Sequence, residues 1–167
     1  RIIKMGAELK TNSYIDSLEK VIDSFDAVFV GTGAPKGKDL EIPGRKEASE
    51  NIHIGIDWLT SIAFEHTKSI GKKVIVIGGG NTAMDCCRTA IRLGADDVKV
   101  TVRSPKSDMK ASDWELEEAI DEGIPILDNT SPKEFLLDDE GKLKGMKLEK
   151  MEAKYTDGKR KLIPTGE

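Results

Sequence analysis

The chain has 167 residues, which sets the expectation at one domain, or one domain with part of another, and excludes a complete large multidomain enzyme. Hydrophobic residues make up 38% and 16 glycines are added to them, so a core can form around tight turns and close backbone approaches. Lys and Arg total 26 against 30 Asp and Glu, a net charge of -4 with no block of like charges, which argues against a nucleic-acid partner because phosphate binding needs a basic surface.

The chain opens on Arg1, Ile2, Ile3, Lys4, Met5 and Gly6, without the charged-then-apolar layout of a signal peptide, and reads as an excised piece. No run approaches the roughly eighteen apolar residues of a membrane helix, so no membrane association is expected. Ile15, Leu18, Val21 and Ile22 recur at helical spacing. Ala27, Val28, Phe29 and Val30 then predict a short buried strand that stops at the turn Gly31-Thr32-Gly33-Ala34-Pro35. From Pro35 to Glu50 the chain is polar, holds Pro43-Gly44, and reads as a linker or surface loop and as the best domain boundary. His53 and His66 have no cysteine at ligand spacing and no HExxH pattern, so no metal site is expected.

Residues 54–65 carry Ile56, Leu59, Ile62 and Ala63 on one helical face. Lys72-Lys73 lead into Val74, Ile75, Val76 and Ile77, an unbroken β-branched run that predicts a parallel strand covered on both faces. Gly78-Gly79-Gly80 ends it. The following helix places Ala83, Met84, Cys87, Ala90 and Ile91 on one stripe, with Gly94 at a left-handed C-terminal cap. Val98, Val100 and Val102 mark the next strand. Ser112 and Glu115 form a capping-box signature for a helix through Trp114, Leu116, Ala119 and Ile120 that stops at Gly123. Residues 124–127 predict a further strand. After Pro132, the runs 134–137 and 143–151, separated by an Asp-Asp-Glu-Gly turn, predict a β-hairpin or meander. The adjacent Cys86 and Cys87 suit neither a disulfide framework nor a CxxC motif, and a reducing, cytoplasmic setting follows.

Strand, glycine turn, helix and strand together span about thirty residues, the length of one βαβ unit. Inside it, Gly78, Gly80 and Ala83 match the G-x-G-x-x-G/A fingerprint of dinucleotide binding. The first glycine makes the tight turn, the second admits a pyrophosphate to the backbone, and the third small residue lets helix and strand pack closely. Free N–H groups and the helix dipole then face the phosphates. Cofactor choice is read at the end of the second strand, where a carboxylate would bind the ribose 2′-hydroxyl of NAD or FAD. This chain has Val102-Arg103-Ser104-Pro105-Lys106 there. A guanidinium binds a 2′-phosphate through paired charge-assisted hydrogen bonds, so Arg103, with Ser104 and Lys106, points to NADPH. Asp85 reads as a first-turn carboxylate complementing the helix dipole, and Arg88 and Arg92 as a solvated helix face. Residues 33–39 imitate a P-loop but are one residue short and end in Asp39 instead of Ser or Thr; no G-x-S-x-G and no pairing of carboxylates is present.

The run Val76 to Ala90, continuing through Arg92-Leu93-Gly94-Ala95, resembles the small subunit (β chain) of NADPH-dependent glutamate synthase and its wider family, which includes domains of dihydropyrimidine dehydrogenase and related flavin oxidoreductases. The resemblance extends to Phe25 to Ala34, to Met109, Ala111, Glu115, Ala119 and Glu122-Gly123, and to Glu134-Phe135-Leu136. Ser104 stands where the family usually has a second arginine, and Lys110 where it has a proline. The thioredoxin reductases share the two-domain plan but carry a CxxC ahead of the glycine motif that 53–65 lacks.

The fold expected is α/β, a Rossmann-like NAD(P)-binding domain with a central parallel sheet and a β-meander. By resemblance it is inserted in an FAD-binding domain, of which residues 1–50 are a strip and linker, with 51–167 as the NADPH-binding domain. The resemblance also implies that hydride passes from NADPH to FAD, that Gly31, Thr32, Gly33 and Ala34 border the flavin, and that the FAD domain of the same polypeptide is the first partner. Electrons would then pass to a glutamate synthase large subunit or another iron–sulfur acceptor. Gly78, Gly79, Gly80, Asn81, Thr82 and Ala83 are the expected pyrophosphate residues, and no acid or base is assigned because the cofactors carry the redox chemistry. Two alternatives stay open: a nucleotide-binding module without redox activity, and the same module serving a pyrimidine, a ferredoxin or a quinone.

Overall fold

The computed structural model describes residues 1–33, 36–156 and 159–167. It divides into two units, Arg1–Ala34 and Pro35–Glu167. In the first, a 3-10 turn over Ile3–Met5 ends at Gly6, whose N–H donates to the Ile3 carbonyl at 3.0 Å. Helix α1 is a single turn, Glu19–Ile22, shorter than the periodicity from Ile15 predicts. So short a helix gains little from its own hydrogen bonds and depends on tertiary packing, yet Ile15, Leu18 and Ile22 stay exposed. The predicted strand at 27–30 does not form either, and Phe29 is 94% exposed. A strand needs a neighbour to take its N–H and C=O groups, and none of the described residues pairs with 27–30.

In the second unit the polar segment after Lys36 is anchored. Ala48 is 2% exposed, the Phe135 N–H donates to the Pro43 carbonyl at 2.9 Å, and Gly44, at φ +80°, lies so close to Phe135 that a Cβ would meet its carbonyl oxygen at 2.5 Å. Only glycine allows that approach. Helix α2, Gly55–Ala63, follows and buries Trp58 against the core. Strand β1, Lys73–Ile77, leads to helix α3, Asn81–Arg92, and strand β2, Asp97–Thr101; helix α4, Asp113–Asp121, and the short strand β3, Ile126–Leu127, complete the layer. The sheet order is β1-β2-β3, all parallel, with Lys73 opposite Asp97, Ile77 opposite Thr101 and Val100 opposite Ile126. Met84, Cys87 and Ala90 of α3 form the centre of the core with Val98 and Val100 of β2, Ala119 of α4 and Ile124. The helices contribute small or flexible side chains here, Met84, Cys87, Ala90 and Ala119, which lets them sit close to the β-branched strands.

Both helices end as their glycines predict. After α3 the Gly94 N–H donates to Ile91 and the Ala95 N–H to Ala90, with Gly94 at φ +91°. After α4, Gly123 bonds Ile120 and Ile124 bonds Ala119, with Gly123 at φ +80°. This reciprocal pair of bonds is the Schellman arrangement. The capping box at the start of α4 is different. Ser112 is the N-cap residue, but its side chain makes no cap bond and its Oγ is buried without a partner among the described residues. Glu115 turns instead to the Arg88 guanidinium at 3.3 Å, because a full charge attracts a carboxylate more strongly than a backbone N–H does.

β1 alternates in burial, with Val74 and Val76 packed on the core and Ile75 and Ile77 exposed, so the expected cover on both faces is present on one face only. It is an edge of the sheet among the described residues. The last third of the chain is an antiparallel meander of β4, Thr130–Leu137, β5, Leu143–Thr156, and β6, Lys159–Pro164. It begins where the parallel sheet ends: the Thr130 N–H donates to the Val102 carbonyl at 3.0 Å, and the hydroxyls of Thr101 and Thr130 share a 2.7 Å hydrogen bond.

Candidate functional site

Because Ile77 and Thr101 are paired across parallel strands, the segments that follow them leave the sheet side by side at its carboxyl edge. Ligands of open α/β sheets bind at that edge. One segment is Gly78-Gly79-Gly80 and the other is Val102 to Lys106.

The three glycines have three different reasons. Gly78 adopts φ +138°, a conformation open to glycine, donates its N–H to the Thr101 carbonyl at 3.0 Å, and would place a Cβ 3.6 Å from that of Ala83. A Cβ on Gly79 would meet Val102 Cγ2 at 2.8 Å and Met109 Cγ at 3.2 Å. Its carbonyl also accepts the N–H groups of Lys110 and Ala111, at 2.8 and 3.0 Å. A Cβ on Gly80 would meet nothing within 4 Å. The first glycine thus makes the turn, the second packs, and the third keeps open space beside the backbone.

That space lies at the start of α3. Gly80 is the N-cap residue and offers no side chain. Among the described residues the N–H groups of exposed Asn81 and Thr82 have no acceptor, while Ala83 and Met84 donate to the Gly80 carbonyl. Free donors, the positive end of a helix dipole and an unfilled cradle are what a pyrophosphate requires. Asn81 has a further task that its position in the motif did not foretell: its Oδ1 accepts the Ser112 N–H at 2.9 Å, which ties the glycine turn to the start of α4 and leaves its Nδ2 to donate.

Arg103 is exposed directly beyond β2, and no carboxylate among the described residues pairs with it or with the Lys106 ammonium. The loop that carries them is fixed through its backbone. The Asn129 N–H donates to the Ser104 carbonyl at 3.2 Å, and Asp128 Oδ2 accepts the Lys106 N–H at 3.0 Å. Lys106–Asp108 forms a 3-10 turn whose Asp108 is paired with Arg160 of β6. Sequence reading missed Asp128, Asn129 and Arg160. Only Asn129 left a signal, an Asn in a turn, where it adopts φ +50°.

The structure thus brings Gly78 to Ala83 and Arg103, Ser104 and Lys106 to one edge. Gly31, Thr32 and Gly33 belong to the Arg1–Ala34 unit, where all three are exposed and Gly33 has φ +70°; Ala34 lies outside the described residues.

Two neighbouring expectations need correction. Asp85 lies beyond the first turn of α3, so its charge gains less from the helix dipole. Arg88 is not on a solvated face: its side chain is 17% exposed and meets Glu115 and Glu118 of α4 and Glu122 at its C-cap, with Nε 2.8 Å from Glu122 Oε1. Arg92 reaches the same Glu122 oxygen at 2.7 Å, and together the arginines hold that carboxyl below its ordinary range, through the Arg88 hydrogen bond above all. Burial pushes the Cys86 thiol up to about 12, helped by the charge of Asp85, and the Cys87 thiol to about 11. Neither is a nucleophile in the folded chain. No group of three or more metal-ligating side chains occurs among the described residues, and no helix among them is long and apolar enough to cross a membrane.

A parallel βαβ unit with an open glycine turn defines a dinucleotide-binding fold. Residues 4–166 match the family described as pyridine nucleotide-disulphide oxidoreductase, and the chain belongs to that family. It is 33% identical over 154 residues to the NADPH-Fe(3+) oxidoreductase subunit beta of Geobacter sulfurreducens, a match covering 90% of this chain and 23% of that protein. It is 30% identical over 169 residues to the glutamate synthase (NADPH) small chain of Escherichia coli strain K12, covering 93% of this chain and 35% of that one. The chain therefore spans between about a quarter and a third of the length of these relatives. Among solved structures, FprA from Mycobacterium tuberculosis in complex with NADPH aligns with a TM-score of 0.67 at 17% identity, over 90% of this chain and 49% of FprA. The thioredoxin reductase of T. acidophilum aligns with a TM-score of 0.55 at 22% identity, over 78% and 39%. These two likenesses concern the fold.

Proposed function

We propose that this chain is the NADPH-binding part of a flavin-dependent oxidoreductase of the glutamate synthase small-subunit type, together with a strip of its FAD-binding domain. One observation carries the reading: an open cradle at Gly80 and an unpaired Arg103 leave adjacent parallel strands at the same edge. Gly78, Gly79, Gly80, Asn81, Thr82 and Ala83 form the pyrophosphate cradle, with the free N–H groups of Asn81 and Thr82 and the α3 dipole facing the phosphates, and Arg103, with Ser104 and Lys106, holds the 2′-phosphate. When bound, the dinucleotide supplies a hydride for the flavin. What these residues do is bind and orient it, and none of them moves a proton in the reaction.

The first unit supports the domain part of this reading. Leu18, Ile22, Phe25, Phe29 and Val30 are exposed there, as in a segment whose packing partners lie elsewhere in a longer polypeptide. Gly31 to Ala34 border the flavin in that arrangement. The anchoring of Ala48 and Pro43 supports a join near residue 34, ahead of the boundary at 50. The first partner is then the FAD domain of the same polypeptide, and the next an iron–sulfur acceptor such as a glutamate synthase large subunit, in the cytoplasm. Relatives named for NADPH-Fe(3+) oxidoreduction, NADPH-dependent glutamate synthesis and NADP(+)-dependent formate oxidation support a module that serves several redox partners.

The test is calorimetric titration of the full-length polypeptide with NADPH and NADH, followed by anaerobic mixing with NADPH while the flavin absorbance is recorded. Tighter binding of NADPH and bleaching of the flavin are expected. Equal affinity would remove the role of Arg103, and binding without bleaching would leave a nucleotide-binding module without redox activity.

A further inference from the structure

We propose that Arg160, on the last strand of the meander, is a specificity-determining positioning residue for the 2′-phosphate, because it neutralises Asp108 at the edge of the phosphate loop. The inference rests on the reading of Arg103 as the 2′-phosphate ligand. Between Arg103 and Ser112 the loop carries a single carboxylate, Asp108, in the same 3-10 turn as Lys106. An uncompensated carboxylate there would repel the incoming phosphate and compete with it for the Lys106 ammonium. Asp128, which accepts the Lys106 backbone N–H, keeps its charge and is a constant background in every variant below.

The counter-charge comes from a distance of 52 residues along the chain: Arg160 Nη1 donates to Asp108 Oδ2, while Ser107 Oγ lies 3.2 Å from Asp108 Oδ1. The fold explains how it gets there. β4 starts on the end of β2, through the Thr130 N–H to Val102 and the Thr101–Thr130 hydroxyl pair, and β5 and β6 fold back until Arg160 meets the loop that follows the same strand. Both side chains are about one-third exposed, at 32% and 34%. An ion pair this exposed adds little to stability. Its worth lies in the charge it removes from a site built for an anion.

The experiment uses the full-length polypeptide and titrates NADPH and NADH into the wild type, Arg160→Gln, Asp108→Asn and the double variant. For Arg160→Gln, NADPH binding is expected to weaken about fivefold with NADH changed less than about twofold, the difference shrinking as salt is added. Asp108→Asn should bind NADPH at least as tightly as the wild type, and the double variant should return to that level. Equal loss of both dinucleotides, no loss, or a double variant as weak as Arg160→Gln would overturn the proposal while leaving Arg103 in place. A wild type without preference for NADPH would overturn the 2′-phosphate reading and this one with it.

Discussion

The side-chain carbonyl of Asn81 accepts the Ser112 N–H at 2.9 Å, so the first residue of α3 also holds the start of α4. Asn81→Ala leaves that N–H without its partner and is expected to lower the unfolding free energy by about 1 kcal/mol, with weaker binding of both dinucleotides. Asn81→Asp keeps the acceptor and adds a charge favourable to the helix N-terminus, so its thermal midpoint should match the wild type while both affinities fall. Thermal unfolding and calorimetry on the two variants separate the structural task from the binding one.

Gly79 and Gly80 should fail differently. Gly79→Ala drives a Cβ to 2.8 Å from Val102 Cγ2 and is expected to cost about 1–3 kcal/mol of stability, read by denaturant unfolding. Gly80→Ala meets no protein atom within 4 Å at an ordinary negative φ, so stability should change by less than about 1 kcal/mol. Its methyl group fills the cradle, and a loss of at least about tenfold in NADPH and NADH affinity is expected, because a misfit at a buried contact costs about 1.4 kcal/mol or more.

Arg103→Ala is expected to weaken NADPH by about tenfold or more and leave NADH within about twofold, since a charge-assisted bond contributes about 1.5–3 kcal/mol. Equal losses in a titration of both dinucleotides would remove the 2′-phosphate role.

The Arg88–Glu122 contact makes stability depend on acid. Glu122 is held below its ordinary range in the folded chain, so it favours folding at pH values above its unfolded pKa of about 4.3, and that contribution is lost as the pH falls through the depressed folded value. Glu122→Gln should therefore flatten the acid limb of a plot of unfolding midpoint against pH below about pH 4.5 and leave its neutral part nearly parallel to the wild type.

Cys86 and Cys87 should resist an aromatic disulfide reagent at pH 8. Their thiols are pushed up to about 12 and about 11 and both are buried, so labelling is expected to be slow in buffer and to reach two thiols per chain in denaturant. Fast labelling of the native chain would contradict the packing of α3.

The βαβ unit was legible because its signals are local. Four β-branched residues, three glycines, an apolar stripe at helical spacing and a closing Gly94 each specify their element within a few residues. What was missed depends on neighbours distant in sequence. Val28 to Val30 have the composition of a strand but no partner among the described residues, and composition does not carry that information. Ser112 and Glu115 have capping-box spacing, yet Arg88, 27 residues before Glu115, takes the glutamate. For the site, glycine spacing pointed to the turn and the end of β2 to Arg103. The bonds that steady the second loop come from Asp128, Asn129 and Arg160, residues with no motif of their own.

The exposed edge of β1 also bears on how the chain behaves at high concentration. Val74, Ile75, Val76 and Ile77 are β-branched and uncharged, one lateral row of their backbone groups is unpaired among the described residues, and Ile75 and Ile77 add exposed apolar surface. Such a ribbon can template itself on a second molecule, and the charge of Lys73 at its entrance is the local brake. The strand that leads into the glycine turn is then also a self-adhesive segment of this unit, and colloidal lifetime in vitro should follow whatever shields that row.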